Sequence, residues 1–340
     1  MRAPAFWRRE RSLAAVLLGP IGRRVGAITA ARMAEPGATV GAPVLCVGNL
    51  VAGGAGKTPT TIWLAGRLAA EGGRPAIVSR GYGGGLEGPV AVDPGDHTAA
   101  EVGDEPLLLA RAAPTFVARD RVAGARLAVA RGADVVVLDD GFQNPALAKT
   151  FSLVVVDGGQ GVGNGRCLPA GPLRAPFEAQ LAHAHAALII GAGAPGDAVA
   201  GKITQAGLPV FRGALRPAPE AAAALAGRRV IAVAGLGRPA KFVETLESLG
   251  AEVVRLHALA DHAAPSPREA EAILAEARAA GAVIATTAKD AVKWTGQLAP
   301  LAEAAVVVPV ALEVEDAERL LALVRAALAG AGVRGGLSEA

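Results

Sequence analysis

Cysteine is nearly missing. Cys46 and Cys167 are the whole complement in 340 residues, which excludes a disulfide framework and a cysteine-rich metal site. Cys46 falls inside an apolar strand pattern and reads as a small buried residue. Aromatics are scarce as well, 3% against 52% hydrophobic residues in all. Alanine and glycine make up the difference, which suits tight packing of helices on a sheet and excludes a disordered chain. No apolar run reaches the ~20 residues that a membrane-crossing helix needs; the longest, Leu13 to Ile21, stops far short. Internal repeats and low-complexity linkers are absent too. The net charge is +3, but residues 1–35 hold seven arginines against Glu10 and Glu35. The body is therefore slightly acidic, and nucleic acid is not an expected partner. The length predicts two domains.

The basic excess sits on "FWRRERSLAAVLLGPIGRRVGAITAARM". Leu13, Val16, Leu17, Ile21, Val25 and Ile28 recur at helical spacing between arginines, the pattern of a helix lying in a membrane interface. An ordinary docked helix and a secretory signal are the competing readings. The signal fits poorly, because the ATP-site motif that follows makes sense only in the cytoplasm. Gly19-Pro20 predicts a kink.

From residue 43 onward, short apolar strands alternate with alanine-rich helical stretches. The strands are expected at Pro43–Val47, Pro75–Ser79, Thr115–Ala118, Asp134–Leu138, Ser152–Val156 and Ala187–Ile190, with helices at Thr58–Ala70 and Asp120–Arg131 between several of them. This pattern predicts an α/β fold with a parallel sheet covered on both faces, like that of P-loop NTPases. A smaller α/β unit follows, in "VIAVAG", "EVVRL" and "AVIATT", with helices near 240–249 and 267–280. The flanking pieces 208–215 and 305–314 are expected to form a two-stranded linker. The expected division is an amphipathic segment over 1–35, a nucleotide-binding domain over 36–210, a smaller domain with hinge strands over 211–314, and a returning helix with its tail over 315–340.

"VGNLVAGGAGKTPTT" carries the chemistry. A phosphate loop needs a strand, a glycine turn that turns N–H groups toward an anion, and a helix N-terminus. Strand Val44–Val47 leads into Val51, Ala52, Gly53, Gly54, Ala55, Gly56, Lys57 and Thr58, the expected nucleotide-binding stretch. Lys57 is placed to reach the β/γ-phosphates and Thr58 to ligate Mg²⁺. Val51 stands where the consensus has glycine; Gly53 and Gly54 are expected to absorb the turn. "DVVVLDDGFQ" ends an apolar strand in Asp139 and Asp140, a Walker B form whose acid holds Mg²⁺ directly or through water. Guanine specificity is disfavoured: in "TTAKD" (286–290) the lysine is misplaced for a guanine-reading motif. An ATP-using phosphotransferase is the favoured reading.

Three clusters bear on the acceptor. In "EVGDEP", Asp104 is either a helix cap or a general base, with Glu105 near the metal. In "LADHAAPSPRE", His262 follows a strand end, where sites in such sheets lie, although a lone loop histidine is often structural. Arg80, Arg119, Arg121 and Arg174 recur in loops, and their forked guanidiniums suit a phosphorylated acceptor.

Taken in order, "VGNLVAGGAGKTP", "VSRGYGG", "GDEP", "DDGFQ", "GNGRCLPAGPLR", "AGLGRP", "ADH" and "KDAVK" resemble the tetraacyldisaccharide 4′-kinase family, the lipid A 4′-kinases of Gram-negative bacteria. The resemblance runs over nearly the whole chain. It implies an ATP- and Mg²⁺-dependent enzyme at the cytoplasmic face of the inner membrane, acting as a monomer. Its acceptor is a tetraacylated glucosamine disaccharide 1-phosphate, phosphorylated at the 4′-hydroxyl to give lipid IVA. By the same resemblance, Asp104 is the catalytic base, and His262 is its partner, brought in by hinge closure. Lys57 and Thr58 serve nucleotide and metal, Glu105, Asp139 and Asp140 serve the metal, and Tyr82, Arg119 and Arg174 are candidate acceptor contacts; Arg80 and Gln143 are expected beside them as further substrate-binding residues. The family also lacks glycine at the position of Val51. Ala288 stands where the family commonly has an acid, and Arg238 where it has histidine. The rival readings are a kinase for a small soluble sugar or nucleoside and a non-catalytic P-loop switch. A basic amphipathic start distinguishes the lipid kinase from the first, and phosphate transfer distinguishes it from the second.

Overall fold

The computed structural model describes residues 4–9 and 11–331. Residues 1–3 and 10 of the basic segment, and 332–340 of the expected tail, lie outside the described residues. Among the described residues, thirteen strands form two sheets. The first sheet takes β1 (Val44–Asn49), β2 (Pro75–Ser79), β3 (Val90–Ala91), β4 (Thr115–Val117), β5 (Val135–Asp139), β6 (Phe151–Asp157), β7 (Ala186–Ile190) and β8 (Val210–Pro217). The second is β9 (Arg229–Ala234), β10 (Glu252–Ala258), β11 (Val283–Thr287) and β12 (Ala305–Val308), after which β13 (Val310–Val314) returns to the first.

The large sheet runs β13-β8-β7-β6-β1-β5-β2-β4-β3. It is parallel except at its edges, where β13 and β3 are antiparallel to their neighbours. β1, β5 and β6 are buried along their full length, which explains their unbroken apolar runs: a sheet covered on both faces has no side for polar residues. β1 sits between β5 and β6, so the chain leaves it in one direction and later resumes on the other side. That reversal opens a crevice at the carboxyl end of β1. The small sheet, β10-β9-β11-β12, is parallel throughout.

The two sheets turn their carboxyl ends toward one another. Loops after β9, β10 and β11 meet the segments after β2 and β3, at Tyr82 and Asp104–Glu105, and the end of β6 at Asp157, through side chains described below. β8 leads out of the large sheet and β13 leads back, paired from Val310↔Pro217 to Val314↔Gly213. The stretch 305–314, expected as a single connecting piece, is instead divided between the sheets. Pro309 marks the break, because it has no N–H for either ladder; its carbonyl accepts from Ala218 N at 3.0 Å.

At the N-terminus the helical stretch breaks into α1 (Leu13–Leu17) and α2 (Gly19–Met33), with Pro20 in the first turn of α2. Here a proline fits without costing a hydrogen bond. The expectation of a docked helix describes one face of this segment: the α2 glycines lie so close to the 167–176 loop that a Cβ on Gly26 would stand 2.6 Å from Cys167 Sγ. The other face presents Leu13, Val16, Leu17, Ile21, Val25 and Ile28 to the outside, Leu13 at 76% exposure. Among the described residues no helix is long and apolar enough to cross a membrane.

Candidate active site

The loop after β1 explains why Val51 is tolerated. Val51 makes an antiparallel bridge to Leu173. Its carbonyl accepts from Arg174 Nε at 3.1 Å, and Ala52 N donates to Pro172 O at 2.8 Å. The first half of the loop is thus a short piece of extended pairing, which any β-former adopts. The turn itself falls on Gly53 and Gly56, with φ of 111° and 89°. Gly56 is doubly constrained, since a Cβ there would also lie 2.7 Å from Ile190 Cδ1. Gly54 is exposed and Ala55 is buried.

Helix α3 (Lys57–Ala70) starts from Gly56 with neither a side-chain cap nor an acid in its first turn. Its first N–H groups and its dipole therefore face the loop unopposed, an arrangement that attracts an anion. Lys57 arches back over this mouth, its ammonium 3.4 Å from Gly53 O and 3.7 Å from Asp140 Oδ2. Thr58 is half-buried beside it.

Asp139 and Asp140 close the neighbouring strand β5. Asp139 is buried and accepts from Thr61 Oγ1 of α3 at 3.1 Å. Burial pushes its carboxyl up to about 7; the negative charge of Glu105 adds to this and Lys57 opposes it. Asp140 takes the left-handed backbone, φ 54°, which short polar residues adopt at a cost that sites often bear. Arg121, itself buried, holds that conformation through Nη2 on the Asp140 carbonyl at 3.2 Å. Arg121 therefore supports the backbone and is no free acceptor contact. Although burial opposes ionisation of Asp140, Lys57 and Arg174 hold its carboxyl below the ordinary value. Arg174 Nη2 reaches Asp140 Oδ2 at 3.1 Å, while Asp140 Oδ1 is buried with no partner among the described residues.

Arg174 and Gln143 serve as wiring. Arg174 bonds Val51 O, Asp140 and Gln143 Oε1. Gln143 Nε2 in turn donates to Asn49 O at 2.7 Å and to buried Gln180 at 2.8 Å. Both side chains tie the phosphate loop to the acidic strand end.

The second cluster assembles across the sheets. Asp104 opens the helix Asp104–Ala110 and is 4% exposed. His262 Nδ1 lies 2.9 and 3.0 Å from its two carboxylate oxygens, and Glu105 N donates to Oδ1 at 2.9 Å. His262 is left-handed too, φ 64°. The bond to Asp104 raises the His262 pKa. Burial would raise that of Asp104, but the His262 bond and the charges of Lys289 and Lys293 bring it below the ordinary value. Tyr82 lies beside them, its ring centroid 5.4 Å from that of His262. Glu105 pairs with Lys289 at 3.0 Å.

Arg80 and Arg119 stand apart. Arg80 is exposed just past β2, and Arg119 pairs with Glu87 at 2.5 Å. Among the described residues neither hydrogen-bonds to the phosphate loop or to the Asp104–His262 pair. Sequence reasoning gave no role to Lys289, Asp290 and Lys293, although "KDAVK" spaces its lysines four apart, one helical turn. It also missed Asp157, which Arg238 and Lys241 grip at 2.6 and 2.9 Å. The departure at Arg238 is thus a tie between the sheets. Ala288 merely opens the short helix Ala288–Ala291.

The donor set fits one kind of metal. No group of three or more His, Cys, Asp or Glu converges on a cation position among the described residues. Asp140 Oδ1, without a hydrogen-bond partner among the described residues, and the buried carboxyl of Asp139 would offer oxygen donors. A Mg²⁺-type ion suits them, because it takes one or two carboxylates and draws its other ligands from phosphate and water.

A family model described as tetraacyldisaccharide-1-P 4′-kinase matches residues 14–329. A tetraacyldisaccharide 4′-kinase of Methylobacterium nodulans is 53% identical over 333 residues, covering 98% of this chain and 97% of the relative. One from Methylorubrum extorquens strain PA1 is 57% identical over 294 residues, covering 86% and 89%. Among solved structures, LpxK from Aquifex aeolicus, crystallised in complex with ATP, superposes with a TM-score of 0.71 at 24% identity, covering 93% of this chain and all of that one. That likeness supports the fold.

The paired shifts fix a pH window. Stability from a raised histidine pKa is complete below its unfolded value and is lost as pH climbs through the folded one. Stability from a lowered aspartate pKa is present above its unfolded value and is lost as pH falls through the folded one. The excess in melting temperature of the native chain over His262→Gln should be largest between roughly pH 4 and 6.5, the two unfolded values, and shrink as pH rises above that range. An excess that stays constant or grows toward alkaline pH contradicts the pairing.

Proposed function

The chain belongs to the tetraacyldisaccharide 4′-kinase family, and we propose that its cleft moves the γ-phosphate of ATP onto the 4′-hydroxyl of a tetraacylated glucosamine disaccharide 1-phosphate. The product is lipid IVA, on the route to lipid A. One observation carries the assignment of roles: a buried aspartate and a strained histidine bond each other at 2.9 Å where the carboxyl ends of the two sheets face each other.

In this reading the loop amides and Lys57 grip the triphosphate and stabilise charge on the transferring group. Asp104 accepts the proton of the attacking hydroxyl, and His262 orients the carboxylate and shares the charge. The lowered pKa of Asp104 keeps it ionised and ready, at some cost in basicity that the histidine offsets. Thr58, Asp139 and Asp140 would hold Mg²⁺, with Glu105 near it, and the ion would neutralise phosphate oxygens. Tyr82, exposed beside His262, is an acceptor contact, with Arg80 and Arg119 further out on the same side of the large sheet. Gln143 and Arg174 act on the acceptor through the loop and Asp140 that they position.

The exposed apolar face of α1–α2 supports a lipid acceptor over a soluble one. A row of leucine, valine and isoleucine left bare on a docked helix suits burial at a headgroup boundary, with Arg23 and Arg24 toward anionic lipid. We place this face on the cytoplasmic leaflet of the inner membrane, with the cleft at headgroup level and the acyl chains left in the bilayer.

Incubation with γ-labelled ATP and a disaccharide 1-phosphate lipid should place the label at the 4′ position; label found solely in free phosphate contradicts the assignment. Lys57→Ala and Asp104→Ala should each lose on the order of 10²–10⁴ in turnover. His262→Ala should lower turnover more than acceptor affinity. Near-native turnover of Asp104→Ala removes it as the base. Separately, the double change Leu13→Glu/Leu17→Glu should release the chain from sedimented membranes without altering its melting temperature, since both residues are exposed. Unchanged sedimentation rules out the helix face as the anchor.

A further inference from the structure

We infer that Asp290 and Lys293, in the "KDAVK" segment, are positioning residues that hold His262 in its strained conformation from two sides. The inference rests on the reading of Asp104 and His262 as the reacting pair.

Asp290 is fully buried, and both of its oxygens are used. Oδ2 accepts from Gly235 N at 3.0 Å and from Thr287 Oγ1 at 2.7 Å. Oδ1 accepts from Lys293 Nζ at 2.7 Å. Gly235 is the residue that carries this grip to the histidine, because its carbonyl accepts from His262 N at 3.3 Å. It has no room for a side chain: a Cβ would stand 2.8 Å from Asp290 Oδ1 and 2.9 Å from Ala263 O.

Lys293 grips the other side. Its ammonium, on a side chain 6% exposed, donates to Ala263 O at 3.0 Å, the carbonyl just past His262. An ammonium has three donors. Asp290 and Ala263 take two, and the third faces Asp104 Oδ2 at 3.9 Å. One cation thus touches the loop that bears the histidine and the carboxylate that the histidine must meet.

The strain gives this arrangement a purpose. A non-glycine residue at φ 64° relaxes unless its neighbours over-determine it, and such residues gather where geometry matters. Anchoring the peptide before His262 through Gly235 and the carbonyl after it through Lys293 supplies that constraint. A displacement of an ångström in a reacting group is enough to cost about 10²-fold in rate.

The test uses the full chain. Lys293→Met alone leaves Asp290 charged and unpaired, so the decisive variant is Asp290→Asn/Lys293→Met, which removes both charges and keeps an acceptor for Gly235 N. Turnover should fall between about tenfold and 10²-fold, with KM for ATP unchanged and the melting temperature close to native. His262→Ala is measured in parallel. Native turnover in the folded double variant beside an impaired His262→Ala overturns this inference alone. A rise in KM for ATP with unchanged turnover overturns it too. Native turnover in His262→Ala overturns the reading of the pair and this inference with it.

Discussion

A hydrogen bond joins two side chains 158 residues apart, and the rest of the site is arranged around it. Asp104 is too deeply buried to stay ionised without partners. It opens a helix packed beside the large sheet, and its closest side-chain partner, His262, lies in the loop after β10 of the small one. The site therefore exists where the two sheets meet, and further contacts secure that boundary: Lys289 on Glu105, Lys293 toward Asp104, and Arg238 with Lys241 on Asp157. Each is an ion pair with at least one member largely shielded from water, where such pairs matter more than on an open surface. The proposed chemistry and the assembly of the two halves thus depend on the same charges.

The same economy governs the phosphate loop. An anion-binding turn must be rigid before the anion arrives, or part of the binding energy goes into ordering it. Here rigidity comes from outside the loop. Val51 and Ala52 are pinned to the 172–174 segment, Asn49 Nδ2 holds Gly53 O at 2.9 Å, and Gln143 links Asn49 to Gln180. Arg174 then ties the loop to Asp140, so that the glycine turn and the acidic strand end share one frame. The acids themselves are unevenly prepared. Asp140 is kept ionised by two cations, whereas Asp139 is driven by burial toward holding a proton.

Local signals carried much of this, and long-range ones did not. The strands were legible because buried parallel strands leave continuous apolar runs; Pro75–Ser79 falls on the expected residues. The glycine turn, Lys57 and the acid-terminated strand were legible because phosphate chemistry demands them within a few residues. Val51 looked like a defect until its bridge to Leu173 showed that extended backbone, not glycine, is what its position requires. The division of 305–314 between two sheets was hidden, since both halves are equally apolar and only Pro309 separates them. Arg119 and Arg121 looked alike in "ARDR", yet one pairs with Glu87 on the surface and the other is buried beneath Asp140. Lys289, Asp290 and Lys293 were visible as a motif, but their partners lie on segments that only the tertiary fold brings near.

The claim on which this account turns is that Asp104 and His262 share a proton across the sheet boundary. It is tested most directly by following the His262 imidazole by NMR as pH is varied, in the native chain and in Asp104→Asn. The native ring should hold its proton above the ~6.5 of a free histidine and lose that advantage in the variant. Identical titrations in the two proteins would contradict it.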